Sequence, residues 1–209
     1  MTEVSSRIGE VVSTSITEFE AQSVRLHENP PLGALLRVRV DGDVTIYGIA
    51  AGACTDGIDA GVRPVPRARD GSEDADVYRD HPDLVHVLKT CFQCVVAGFR
   101  ERGQIYYQLP PSPAPVHYSV AMCPPSEVQA FTETLRYFET ILAARDVPVE
   151  EVLAAHIRFA ADARRPHPAA GETPYDFSVR AGREVAALLR NEHQRLVTIL
   201  HRIRPVHGP

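Results

Sequence analysis

Two patterns of apolar and polar positions divide the chain. Over residues 8–54 and 92–122, short runs rich in Val, Ile, Thr, Phe and Tyr alternate with polar residues, which favours β-strands. Asp41-Gly42-Asp43 and Glu101-Arg102-Gly103 are typical of tight hairpins, because their residues tolerate positive φ angles. Seven short strands with regular turns indicate a small closed barrel or a sandwich. The predicted strands cover residues 8–14, 18–26, 35–40, 44–54, 92–100, 104–109 and 116–122.

The apolar spacing becomes helical after Pro124-Pro125. Ser126 and Gln129 have the spacing of a capping box, which predicts a first helix that extends to Leu142. A second helix is predicted to begin at Pro148, and a third to cover residues 177–203 after a linker at 166–174. The sequence therefore predicts an α+β protein, with a closed β-barrel domain over residues 1–122 and a three-helix domain over residues 123–209.

Residues 56–83 interrupt the strand pattern. Prolines, glycines and the acidic run Glu73-Asp74-Ala75-Asp76 predict a long, partly disordered surface loop. Near its end, Asp80 is predicted to cap a short helix that carries Leu84, Val85 and Leu88.

Composition excludes several classes of protein. Hydrophobic residues make up 44% of the 209 residues and charged residues 23%, and no apolar run is long enough to span a bilayer. The first ten residues lack the features of a secretory signal, so we expect a cytoplasmic protein whose four cysteines are reduced. The net charge of −5 disfavours non-specific binding of nucleic acid by the whole chain, although residues 156–209 carry nine arginines against five acidic residues.

The first two predicted strands carry a family resemblance. Arg7-Ile8-Gly9-Glu10-Val11-Val12, followed by Thr17-Glu18-Phe19, resembles the start of the HAS-barrel family, named after HerA-type ATPases and ATP synthases. The resemblance is best over residues 7–50 and implies a barrel of six or seven strands. In the ATPases of that family, the barrel packs at the N-terminal side of the motor ring and helps to assemble it.

The motor itself is not expected here. A phosphate-binding loop of the G-x-x-x-x-G-K-[ST] type needs glycines and a lysine, and the only lysine, Lys89, has no such glycines before it. The resemblance therefore implies a non-enzymatic docking or assembly module that binds a protein partner through its barrel, with a ring ATPase as the candidate partner. No cofactor and no catalytic residue are predicted.

Cys91 and Cys94 have the C-x-x-C spacing of redox and zinc sites. The sequence contains no second C-x-x-C pair that could complete a four-cysteine site. In a strand, moreover, the side chains of Cys91 and Cys94 would point to opposite faces. Buried, inert cysteines are therefore favoured over a metal site, which remains the alternative. The histidines show no H-E-x-x-H motif.

The predicted third helix supplies the candidate binding surface. Its arginines lie opposite or beside the apolar stripe, where they would form a row that contacts an acidic partner or a phosphate backbone. The alternatives are a solvated polar face and a nucleic-acid-binding accessory protein. Self-association through an exposed barrel edge is a further expectation. The candidate partner-binding residues are Arg180, Arg183, Arg190, Arg195 and Arg202.

Overall fold

A computed structural model describes residues 7–40, 43–59, 64–67, 71, 73–165 and 171–203. Within this part of the chain, seven strands and seven helices form an α+β fold. The strands are β1 (Arg7–Thr14), β2 (Glu18–Ser23), β3 (Leu35–Arg39), β4 (Thr45–Gly57), β5 (Leu88–Glu101), β6 (Gln104–Tyr106) and β7 (Ser119–Met122). The helices are α1 (Asp74–Asp80), α2 (Leu84–Val87), α3 (Pro125–Phe131), α4 (Phe138–Leu142), α5 (Val149–Asp162), α6 (Pro174–Leu188) and α7 (His193–Ile203).

Six of the strands close into a barrel, as the sequence predicted. The sheet runs in the order β2-β1-β7-β3-β4-β5-β6, and β2 also pairs with β5, which joins the two ends of the ring. All of these pairings are antiparallel. After closure, β6 is the only described strand with a single neighbour; it is a short extension that pairs with β5. The exposed edge that suggested self-association is therefore largely absent from the described strands.

Side chains of β3, β4 and β5 alternate between the inner and the outer face of the barrel wall, and both faces are packed. Leu36, Ile46 and Phe92 belong to a buried cluster inside the ring, whereas their neighbours on the other face pack against the helices. Gly48 is required inside, because a Cβ there would lie 2.5 Å from the ring of Phe19. The remaining large interior residues are Val11, Val38, Val96, Phe99 and Val120.

The long interruption is more structured than predicted. β4 continues to Gly57 and β5 begins at Leu88, so the two strands form a ribbon that extends into the predicted loop. The loop also contains α1, and α2 begins after Asp83 rather than after the predicted cap Asp80. Leu88 belongs to β5 and not to the short helix. Residues 60–63, 68–70 and 72 lie outside the described residues, as do Asp41 and Gly42 of the first predicted hairpin.

The prediction of three C-terminal helices is not confirmed, because five helices follow the barrel in the part of the chain that the structure describes. The first predicted helix is split into α3 and α4, with Thr132 at the end of α3 donating its hydroxyl proton to the carbonyl of Val128. The predicted capping box is also wrong: Pro124 is the N-cap, without a side-chain cap, and Gln129 donates to the carbonyl of Ala163. The third predicted helix is divided into α6 and α7, which are separated by residues 189–192.

Helices and barrel share one hydrophobic cluster. Leu35, Tyr47 and Val95 face outward from the barrel and pack with Phe131, Phe138 and other residues of α3 to α7. This cluster fixes the helices against the outer wall of β3, β4 and β5, while the rest of the wall is left for other contacts.

A buried histidine joins α5 to the barrel. His156 donates from Nδ1 to the carbonyl oxygen of Gly33 at 2.8 Å, and its Nε2 accepts from the Tyr137 hydroxyl at 2.8 Å. Burial lowers the pKa of His156 to about 4, so the ring is neutral at physiological pH and this hydrogen-bond pattern is available. The contact depends on Gly33, whose φ is +79° and whose added Cβ would lie 2.3 Å from the backbone nitrogen of His156.

Gly33→Ala is expected to destabilise the fold by more than about 2 kcal/mol, because it adds a clash with α5 to the strain of a positive φ. Gly103→Ala is the matched control: its φ is +80°, but its added Cβ meets nothing within 4 Å, so only the strain of about 1 kcal/mol should appear. Urea unfolding of both variants measures the difference. Equal losses would show that the close approach of Gly33 to His156 contributes nothing.

Candidate protein-docking surface

Three of the five candidate arginines already have carboxylate partners within the protein. Arg180 binds both oxygens of Glu172, at 2.7 and 3.0 Å. Arg195 contacts Glu150 of α5 and Glu192, and Arg202 contacts Glu151 of α5. The pairs with Glu150 and Glu151 join α7 to α5, and all three arginine charges are partly compensated before any partner binds.

Arg183 and Arg190 differ from the other three. Both are exposed, and neither forms an ion pair with any described residue. Arg190 lies in the break between α6 and α7. It therefore does not share a helical face with Arg183, in contrast to the prediction from the sequence. In the described part of the chain the candidate arginines therefore do not form one continuous row, and Arg183 is the candidate on a helix that has no ion pair with a described residue.

A buried charged cluster holds the beginning of α6. Arg164, which is only 2% exposed, donates to Glu172 at 2.8 Å, to the Ala160 carbonyl and to the Thr132 hydroxyl. Its guanidinium also lies 3.8 Å from the centre of the Phe177 ring. The hydrogen bond from Arg180, followed by that from Arg164, holds the pKa of Glu172 below its ordinary value. The burial of Arg164 could not be predicted from the sequence, because its position before Arg165-Pro166 is typical of an exposed helix end.

Glu172→Gln is expected to destabilise the protein by about 3 kcal/mol, because it leaves the buried Arg164 without its negative partner. The lowered pKa of Glu172 gives the sign of the pH effect: the stabilisation is complete above the ordinary carboxyl pKa of 4.5 and is lost as the pH falls towards the lowered value. Denaturant unfolding at neutral and acidic pH measures both effects.

Asp162→Asn is the matched control, since its pair with Arg165 is exposed on both sides. Its loss should stay below about 1 kcal/mol. Similar losses for the two variants, or a Glu172→Gln effect that does not change with pH, would contradict the role of the buried cluster.

A groove between α5, α6 and α7 contains the exposed Arg183. Its volume is about 780 Å³, and its rim carries Arg158, Arg165, Arg183 and the 73% exposed Tyr175. Val179, Gly182 and Ala186 follow one another at helical spacing along α6, so this part of the groove has a signal in the sequence. The floor is apolar or small and consists of Ala161, Val179, Gly182, Ala186, Leu200 and Ile203.

The rim of the groove is positively charged. Asp162 is the only acidic residue among the described residues that line it, and its carboxylate is paired with Arg165 at 2.7 Å. Arg158 donates to the backbone carbonyl of Arg202, which holds its guanidinium without neutralising it. An apolar floor below excess arginine charge fits an amphipathic segment that has an apolar face and acidic flanks.

The C-x-x-C cysteines do not share a face. Cys94 lies in the cluster inside the barrel, and burial raises its pKa well above the ordinary value. Cys91 is an odd number of residues away from Cys94 in β5, so its side chain points to the other face of the strand. Burial, followed by the charge of Glu20, raises the pKa of Cys91 to about 11. Among the described residues, no group of three or more His, Cys, Asp or Glu is placed to hold a metal ion.

Comparison with known proteins returned neither a matching family model nor a matching curated protein. Within the described chain, every helix is too short or too polar to cross a lipid bilayer.

Proposed function

We propose that this protein is a non-enzymatic docking module that binds an acidic, amphipathic segment of a partner protein in the groove between α5, α6 and α7. The observation that carries the proposal is the combination of an apolar floor with arginines at the rim, of which Arg183 has no partner among the described residues. Helical segments commonly bind in such grooves through apolar residues three or four positions apart.

The barrel contributes the scaffold and, by its resemblance to the HAS-barrel family, a second contact surface. We propose a ring ATPase as the candidate partner, because the barrels of that family help to assemble such rings. A cytoplasmic location and self-association stay predictions of the same proposal.

Binding of nucleic acid through the C-terminal arginines is the competing function. The intramolecular pairs of Arg180, Arg195 and Arg202 weaken it, because those guanidinium groups already contact carboxylates. A protein partner should depend on the groove, whereas a nucleic acid should depend steeply on salt and should be lost after nuclease treatment.

Affinity capture from the native lysate separates the two functions when it is combined with groove variants. Arg183→Glu should abolish recovery of the partner, because it reverses the charge of the rim. Arg136→Glu reverses an exposed arginine between α3 and α4, outside the groove, and should leave recovery unchanged.

The expected result is one protein, with a ring ATPase as the candidate, that is recovered with and without nuclease and is lost only with Arg183→Glu. Equal recovery by both variants would contradict the groove as the binding site. Loss of the partner after nuclease treatment would favour nucleic-acid binding instead.

A further inference from the structure

The barrel places four arginines on the outer wall of one side. Arg7 and Arg37 lie in one cross-strand row, because both pair with Ala121 of β7. Arg39 and Arg100 lie in a neighbouring row, on either side of Thr45. Cross-strand neighbours on one face lie within reach of one another, so the register alone concentrates positive charge here.

Arg37 is held in place but has free donors. It is 5% exposed, and among the described residues its only hydrogen bond goes to Glu127 of α3. The same carboxylate accepts the Tyr47 hydroxyl proton at 2.8 Å and lies 3.9 Å from Arg100. A guanidinium carries five N–H donors, so Arg37 keeps several that are not used by the described part of the chain.

Arg37 is also one of the residues that line a cavity. Arg37, Arg39, His117, Ser119 and Arg7 line a volume of about 420 Å³ at the surface of β1, β7 and β3. Arg39 is exposed and forms no ion pair with any described residue. The buried, positioned Arg37 and the uncommitted Arg39 therefore line the same cavity, with the Ser119 side chain beside them.

Among the described residues, each carboxylate that contacts these arginines is shared by more than one group. Glu127 is shared by Arg37, Arg100 and Tyr47, and Glu10 is shared by Arg7 and His117. Asp43 lines a neighbouring cavity beside Arg39 and Arg100 without forming an ion pair. Burial, followed by the charge of Arg39, lowers the pKa of Arg37, which is consistent with repulsion between neighbouring guanidinium groups.

We propose that this cavity is an oxyanion site that binds a phosphate dianion, held by Arg37 and Arg39 with the Ser119 hydroxyl as an additional donor. Guanidinium groups suit this ligand, because their planar N–H pairs bind two oxygens of a phosphate at once. A dianion is favoured over a carboxylate, since two arginines without full compensation face the cavity. The site is separate from the helical groove and does not depend on the proposed docking function.

Titration of the full-length protein with inorganic phosphate, at constant ionic strength and followed by calorimetry and amide chemical shifts, tests the proposal. We expect saturable binding, with shifts centred on Arg37, Arg39 and Ser119. Arg39→Gln should weaken this binding about tenfold or more, because it removes a charged pair of donors. Arg25→Gln is the control, since Arg25 is exposed, does not line the cavity and forms its ion pair with Glu28.

A second variant keeps the test independent of Arg39. Glu127→Gln removes the carboxylate that competes with phosphate for Arg37. The variant should therefore bind phosphate more tightly than the wild type does, and phosphate should raise the melting temperature of the variant more than that of the wild type. If Glu127→Gln does not fold, the comparison of Arg39→Gln with Arg25→Gln decides.

A parallel titration with glycerol phosphate distinguishes the source of the ligand. Equal affinity for both compounds supports a site for phosphate monoesters, and binding of inorganic phosphate alone supports a site for the free ion. Absence of saturable binding, or an equal loss in Arg39→Gln and Arg25→Gln, would overturn the proposal.

Discussion

The pairing of β2 with β5 is the contact on which the rest of the molecule depends. β5 bonds to β4 along one edge, and its other edge is shared by β2 and β6, so the pairing with β2 converts an open sheet into a ring. Once the ring is closed, every second residue of a strand must face an enclosed interior. Phe92, Cys94 and Val96 of β5 take those positions, while Val95 and Ala97 face outward and hold the helices.

Closure also decides where a ligand can bind. The interior is occupied by large apolar side chains, so the accessible chemistry lies on the outer wall and on the helices that cover part of it. The strand register brings Arg37 and Arg39 to the outer wall of β3, where Arg37 contacts Glu127 of α3, and α5, α6 and α7 together form the groove around Arg183. The proposed docking site and the proposed oxyanion site therefore use different elements, and one can be altered without removing the other.

The strands could be predicted because their signal is local. Alternation between core and surface residues, with a turn after each run, located all seven strands to within a few residues. The breaks between helices could not be predicted in this way, because they coincide with contacts between residues that are distant in sequence. At the end of α3, for example, the hydroxyl of Thr132 accepts a hydrogen bond from Arg164, 32 residues later. The ion pairs of Arg195 and Arg202 could not be predicted for the same reason, because their partners Glu150 and Glu151 are distant in sequence. Local patterns show which residues are charged, but partners that folding brings together decide which charges remain available.

Cross-strand contacts between β2 and β5, measured by NMR together with amide hydrogen exchange, test the closed ring most directly. The account predicts backbone proton contacts between Glu20 and Gln93 and between Gln22 and Cys91, with slowly exchanging amides on both strands. Absence of these contacts, with rapid exchange along β2 while β3 and β4 stay protected, would show an open sheet. That result would remove the distinction between interior and outer wall on which the proposed oxyanion site depends.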